Sequence, residues 1–170
     1  MLIKIKSNRE IELLKEAGHI VYLTHQYLKP YVKAGITTKE LDRLAEEFIR
    51  SKGATPSCKG YEGFPATLCV SINEEVVHGI PSNRKLRNGD IVSIDICACY
   101  KGYHGDSAWT YPVGEICKEK QDLLKYTEQA LYEGLSQIKP GNRIGDISNA
   151  VEVYAEAHNL GVVKELVGHG

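Results

Sequence analysis

The feature that most restricts the fold of this chain is a pair of strand-like segments separated by only two residues. IVSIDICACY (91–100) and YHGDSAWTY (103–111) are rich in β-branched and aromatic residues, and Lys101-Gly102 lies between them. Such a connection predicts an antiparallel hairpin, although Lys is not a favoured first turn residue. The turn then sets the register, in which Tyr100 pairs with Tyr103.

This register brings two carboxylates together. Asp95 opposes Ala108 and Asp106 opposes Cys97, so the aspartates become diagonal neighbours on one face, with Cβ atoms roughly 7 Å or less apart. A carboxylate inside an apolar run is costly unless it is paired or bound to a metal. The pair therefore favours a cation. The alternative is one turn aspartate and one buried aspartate bonded to backbone, and a bulge would change the register.

Histidines and cysteines supply further candidate ligands. His78 lies in VVHGIP and His169 lies in VGHG, where the flanking glycines let the backbone pass close to a ligand. Each histidine alone is typical of a surface residue, but an imidazole beside two aspartates suits zinc, manganese, iron or cobalt. Cys97 and Cys99 fall on the face of the aspartates. We favour small strand side chains there over soft ligands or a redox site.

The other segments predict helices and one more strand, and so a mixed α/β (α+β) chain. These segments are a helix from the Ser7–Glu10 capping box to Pro30, a helix from the Thr37–Glu40 capping box to Gly53, helices at about 118–135 and about 144–159, the last closed by Gly161, and a strand at LCVSI (68–72).

An internal repeat is a further possibility. Gly35-x5-Leu41 aligns with Gly141-x5-Ile147 at an offset of 141 − 35 = 106, and the apolar positions of the two following helices coincide. Chance similarity of two amphipathic helices is the alternative. A true repeat implies one helix–helix–strands unit followed by an incomplete second unit.

Composition narrows the function classes. With 21 basic and 22 acidic residues, the net charge is -1, so nucleic acid or an anionic membrane is not expected as the main partner. No run reaches the roughly 18 apolar residues of a membrane span. Five cysteines without a Cys-x-x-Cys pair predict a reduced cytosolic chain. Neither a P-loop nor a Gly-x-Ser-x-Gly motif occurs, which leaves P-loop phosphoryl transfer and serine hydrolysis without support.

Six stretches, in this order, resemble the type I methionine aminopeptidases: KPYVKAGITTKELD, GYEGFP, CVSINEEVVHGIP, LRNGDIVSIDI, GYHGDSAWTYPVG and ELVGHG. Together they cover nearly the whole chain. The resemblance implies the pita-bread α/β fold with a pseudo-twofold repeat. On this basis 1–170 forms a single, C-terminally truncated catalytic domain, with a first repeat at about 1–113 and a partial second repeat at about 114–170.

The resemblance also implies roles for individual residues. Asp95 and Asp106 match metal ligands, with Asp106 bridging two metals, and His169 matches the histidine ligand. His78 matches the catalytic histidine that hydrogen-bonds the substrate. The positions that line the pocket for the methionine side chain are Cys58, Tyr61, Phe64 and Cys69.

The implied reaction is hydrolysis assisted by two divalent ions (cobalt, manganese, iron or zinc), which removes the initiator methionine from peptides and nascent proteins. A cytoplasmic monomer is expected, with ribosome association as a further expectation and no membrane or nucleic-acid partner.

Two departures from the family pattern matter. The family has two further glutamate ligands downstream of GHG, so little turnover is expected from these 170 residues alone. Cys97 stands where small or hydroxyl residues are usual. One alternative is a non-catalytic relative that binds a peptide or protein, against which the retained ligands and His78 argue. Another is a proline-specific peptidase, against which the Cys58 and Cys69 pocket argues.

Overall fold

The computed structural model describes residues 4–169 and divides the chain into two compact units, Met1–Ile116 and Cys117–Gly170. The first unit contains α1 (Asn8–Leu28), α2 (Thr38–Ser51), β1 (Thr55–Pro56), β2 (Leu68–Ile72), β3 (Ile91–Tyr100) and β4 (Tyr103–Pro112), with 3-10 turns at Lys29–Tyr31 and Tyr61–Gly63. The second unit contains α3 (Lys118–Ser136) and α4 (Ile144–Ala157). The mixed α/β class predicted from the sequence is confirmed.

The sheet of the first unit is antiparallel and is built around β3. The strands β1 and β2 pair with different parts of β3, and β4 pairs along its whole length. Tyr100 pairs with Tyr103, as the two-residue turn predicts. Lys101 and Gly102 have φ of 49° and 85°, the left-handed pair of a type I′ turn, whose twist matches that of the strands.

One face of this sheet forms the core with α1 and α2. Alternate residues of β3 point to it and are fully buried, among them Ile94 and Ile96. Each such side chain stabilises the fold by about 1.5–3 kcal/mol. Where β4 crosses α1, a Cβ on Gly105 would lie 2.6 Å from the backbone of Ala17, so only glycine fits. The aspartates point to the opposite face.

Of three helix ends predicted from the sequence, one forms as expected, one forms in part and one lies elsewhere. The Ser7–Glu10 capping box forms, with Ser7 N–H donating to Glu10 Oε2 at 2.7 Å. Thr37 Oγ1 accepts from the N–H of Glu40 at 3.1 Å, but the Glu40 carboxylate bonds to the Arg43 guanidinium, so the second predicted box is only half formed. The helix predicted to end near Asn159 ends earlier, at Ala157.

Asn159 explains the early end of α4. It adopts a left-handed conformation (φ 57°), which stops the helix before Gly161 is reached. Gly53, by contrast, has φ of 72° and follows Lys52, the C-cap residue of α2, at the predicted position.

The second unit is a pair of helices that pack on each other. A Cβ on Gly134 would lie 2.8 Å from Cγ2 of Val151, so the glycine allows close packing. Helix α4 begins and ends 106 residues after α2 (144 − 38 and 157 − 51). Gly35 and Gly141 both have φ of 94°. These coincidences favour the repeat, while its boundary at 113/114 stays a prediction.

No helix among residues 4–169 is both long and apolar enough to cross a membrane.

Candidate metal centre

The site is built by the hairpin of β3 and β4. Asp95 pairs with Ala108 and Asp106 pairs with Cys97, the register predicted from the turn. All four side chains therefore lie on the face that α1 and α2 do not cover. Carboxylate oxygens of the two aspartates and the thiol sulfur of Cys97 lie within 4.8 Å of one another. One cation can be reached by all three groups.

Asp95 is the most constrained carboxylate of the group. Burial raises its pKa to about 6, and the negative charge of Asp106 adds to that rise. Oδ1 of Asp95 is buried and has no hydrogen-bond partner among the described residues. An ionised carboxylate in that state lacks compensation. This favours a bound cation over the alternative in which backbone groups satisfy the aspartate.

His78 lies in the loop that follows β2. Its φ of 60° is left-handed, a conformation that costs a non-glycine residue about 1 kcal/mol or more. The next residue, Gly79, holds the loop against β2, because its carbonyl accepts from Val70 N–H at 2.8 Å and its N–H donates to Ser71 Oγ at 3.2 Å. A Cβ on Gly79 would collide with the Val70 carbonyl. The strain at His78 is thus maintained by close packing of its neighbour.

The charge of His78 also affects the site. It lowers the pKa of Asp95, against the larger effect of burial, and it lowers the pKa of Cys58. The structure therefore brings His78, Asp95 and Cys58 close enough to interact.

Two of the four expected pocket residues meet at the metal site. Cys69 is paired directly with Asp95 across β2 and β3. The Cys58 thiol interacts with the thiols of Cys69 and Cys97, and this interaction lowers the pKa of Cys58 and raises the pKa of the other two. Sulfur therefore lines the edge of the site beside the aspartates.

The other two residues expected to line the pocket belong to a tight loop that follows Cys58. Tyr61 N–H donates to the Cys58 carbonyl at 3.0 Å, and Phe64 N–H donates to the Tyr61 carbonyl at 2.9 Å. Phe64 is half-buried, whereas Tyr61 is 69% exposed.

Two residues that position the strands of the site are not marked by any motif in the sequence. Asp42 accepts the N–H groups of Thr67 and Leu68 at 2.9 and 2.8 Å and so fixes the start of β2. His25 reaches the carbonyl of Ser107, next to Asp106, at 3.1 Å. Both side chains come from helices and act on strands far away in the sequence. Only their polarity within apolar helical patterns could have marked them.

His169 is an exposed residue of the second unit. Its role as a metal ligand stays a prediction from the VGHG motif.

Comparison with known proteins agrees with this geometry. The model of metallopeptidase family M24 matches residues 12–170. Methionine aminopeptidase 1 of Bacillus subtilis (strain 168) is 56% identical over 169 residues, which span 99% of this chain and 68% of that protein. Methionine aminopeptidase of Clostridium perfringens is 48% identical over the same shares of the two chains.

Solved structures give the same result. The crystal structure of methionine aminopeptidase from Rickettsia prowazekii has a TM-score of 0.97 at 38% identity, covering 99% of this chain and 68% of that one. Xaa-Pro dipeptidase from Bacillus anthracis has a TM-score of 0.82 at 27% identity, covering 97% of this chain and 44% of that one. The pita-bread architecture is common to both.

Proposed function

Because this chain belongs to the methionine aminopeptidases of metallopeptidase family M24, we propose that Asp95 and Asp106 hold divalent metal where an N-terminal methionine is hydrolysed from a peptide. The observation that carries the proposal is the convergence of the two carboxylates around an Asp95 oxygen that lacks any hydrogen-bond partner among the described residues. Two aspartates on adjacent strands gain little from proximity unless a cation offsets their repulsion.

Divalent metal held here would supply a Lewis acid and would lower the pKa of bound water toward neutrality. Asp95 and Asp106 would hold such metal through carboxylate oxygens, and His169 is proposed from its VGHG motif as a nitrogen ligand. Zinc, manganese, iron and cobalt all accept such ligands, and we propose two ions.

His78 is proposed as the residue that hydrogen-bonds the substrate. The loop carrying it is fastened to β2 through Gly79, which fixes the backbone from which the imidazole extends. Its electrostatic effect on Asp95 supports a position beside the reacting peptide bond.

The methionine side chain is proposed to enter beside Cys58 and Cys69, with Tyr61 and Phe64 completing the pocket. A flexible thioether packs well against sulfur and aromatic rings. Since Cys69 pairs directly with Asp95, a side chain held there would place its own amide next to the metal. The pocket therefore favours methionine over the proline-specific alternative.

The substrates follow from the family: peptides and nascent proteins that begin with methionine. We also propose a cytoplasmic monomer that associates with ribosomes. Five free cysteines fit a reducing compartment.

The test uses the full-length protein, freed of metal by a chelator. Calorimetric titration with cobalt or manganese should show tight binding, and methionine release from Met-Gly-Met-Met should return with it. Asp106→Asn removes a charged ligand and should abolish both. Glu12→Gln, a charge loss at an exposed position of α1, is the matched control and should leave both unchanged.

Metal binding that is insensitive to Asp106→Asn would overturn the assignment. Normal binding without peptide hydrolysis would instead support the non-catalytic, peptide-binding alternative.

A further inference from the structure

A thiol lies inside the group of metal-binding oxygens. Cys97 is two residues from Asp95 on β3 and is paired directly with Asp106 on β4, so it shares their face. Its sulfur and the carboxylate oxygens lie within 4.8 Å of one another. Resting on the proposed function, we infer that Cys97 is a thiolate ligand of the metal, giving the hairpin an O,O,S donor set that selects thiophilic ions.

The distances suit coordination. Zinc binds sulfur at about 2.3 Å and carboxylate oxygen at about 2.0–2.2 Å, so two ligands of one ion are at most about 4.5 Å apart. Separations within 4.8 Å lie close to that limit, and side-chain rotations can shorten them. Both aspartates and Cys97 come from paired strands, whose backbone stays fixed during such rotations.

A second cysteine on the same strand shows that position matters. Cys99 shares the face of Cys97 but is paired with His104, one step closer to the turn. It does not belong to the group of converging ligands among the described residues. If the strand only required small side chains, both cysteines would be equivalent. The register instead places only Cys97 opposite a candidate ligand, Asp106.

Cys97 already lies beside one ligand, since it is paired directly with Asp106 across β3 and β4. In the metal-bound state the S–H bond breaks, the sulfur keeps the electron pair and binds the ion, and one proton goes to solvent. Thiolate is a soft donor, so the site should prefer zinc, iron(II) or cobalt(II) over manganese.

Cobalt(II) provides the test, because thiolate bound to it gives a ligand-to-metal charge-transfer band in the near ultraviolet that oxygen and nitrogen ligands do not give. The full-length metal-free protein is titrated with cobalt(II) under reducing, oxygen-free conditions. We expect the band at stoichiometric cobalt. Cys97→Ser and Cys97→Thr should both lose it while the visible cobalt bands remain.

Cys99→Ser is the matched control and should keep the band. Cys58→Ser is the second comparison, because the Cys58 thiol interacts with that of Cys97. Loss of a direct ligand should weaken cobalt binding at least about tenfold, since loss of a supporting contact alone costs about 10–100-fold. Manganese binding should weaken less.

The outcomes separate the two claims. Cobalt that binds without a charge-transfer band refutes the Cys97 ligand and leaves the proposed function intact. A band that survives both Cys97 variants, or disappears only in Cys58→Ser, refutes it as well. Cobalt binding that is absent, or that persists in Asp106→Asn, contradicts the proposed function itself.

Discussion

His25 should make the stability of the protein depend on pH in a narrow acidic range. Its side chain is fully buried, and Nε2 lies 3.1 Å from the Ser107 carbonyl, which can only accept a hydrogen bond. Nε2 therefore carries the proton, and Nδ1 accepts from the Tyr111 hydroxyl at 3.0 Å. The ring stacks on Trp109 at 4.7 Å. Both nitrogens of the neutral ring have hydrogen-bond partners, and burial opposes the charge that a second proton would bring.

The magnitude follows from the pKa. Burial lowers the pKa of His25 from 6.5 to about 4. The unfolded chain thus binds the proton near pH 6.5 and the folded chain only near pH 4. The stabilisation is fully present above pH 6.5 and is lost as the pH falls toward 4. A difference of about 2.5 pKa units corresponds to about 3 kcal/mol in the free energy of unfolding.

His25→Gln isolates this effect, because glutamine keeps a donor and an acceptor but does not titrate. Urea unfolding of both proteins is measured between pH 4 and pH 7.5, with Trp109 fluorescence as the signal and chelator present. At pH 7 the variant should be less stable. The difference in the free energy of unfolding between wild type and variant should shrink by about 3 kcal/mol between pH 7 and pH 4, because only wild type loses the contribution of His25. The acidic residues affect both proteins equally.

His19→Gln serves as the control, since His19 is an exposed histidine on the same helix. Parallel profiles for wild type and His25→Gln would refute the reasoning, because they would mean that the buried ring accepts a proton without cost.

Three further predictions concern the frame of the site, each measured as a shift in the free energy of unfolding by urea. Gly105→Ala should destabilise by about 1–3 kcal/mol because its Cβ would lie 2.6 Å from the α1 backbone, whereas Gly18→Ala, with open space, should gain up to about 1 kcal/mol. Equal effects would contradict this. Asp42→Asn should cost about 1–3 kcal/mol, since the amide oxygen replaces a carboxylate that accepts two backbone N–H groups. A neutral result would mean that the start of β2 is held otherwise. Lys101→Asn should stabilise by about 0.5 kcal/mol, because Asn tolerates the left-handed turn position better, and any loss would count against the turn assignment.

The parts of the site that could be predicted are those fixed by local geometry. The two residues between the strands determine the pairing of Tyr100 with Tyr103, and the approach of Asp95 to Asp106 follows by counting. Capping at Ser7 is equally local and was equally predictable. Such features need only the period of a strand or the spacing of a helical turn.

The remaining features depend on long-range contacts or on competition. His25 meets Ser107 across 82 positions, and no periodicity encodes that contact. The two-residue strand β1 is too short to leave a pattern. The Glu40 carboxylate could bond either to the backbone N–H of its N-cap residue or to the Arg43 guanidinium, and it bonds to the guanidinium. Cys97 illustrates a different reason: its position opposite Asp106 was countable, but the chemistry of that position depends on how closely three side chains converge.

The glycine beneath α1 also limits which misfolded pairings the hairpin can keep. Sliding β4 by one residue against β3 would exchange the two faces, so that His104 or Asp106 would replace Gly105 under the helix. A Cβ at this position would lie 2.6 Å from the α1 backbone, so no side chain fits there, and a charged one fits least. A hairpin that closes in the wrong register therefore cannot dock on α1 and must reopen. Steric exclusion at the back of the sheet thus guarantees the spacing of the carboxylates at its front, before any metal is present to enforce it.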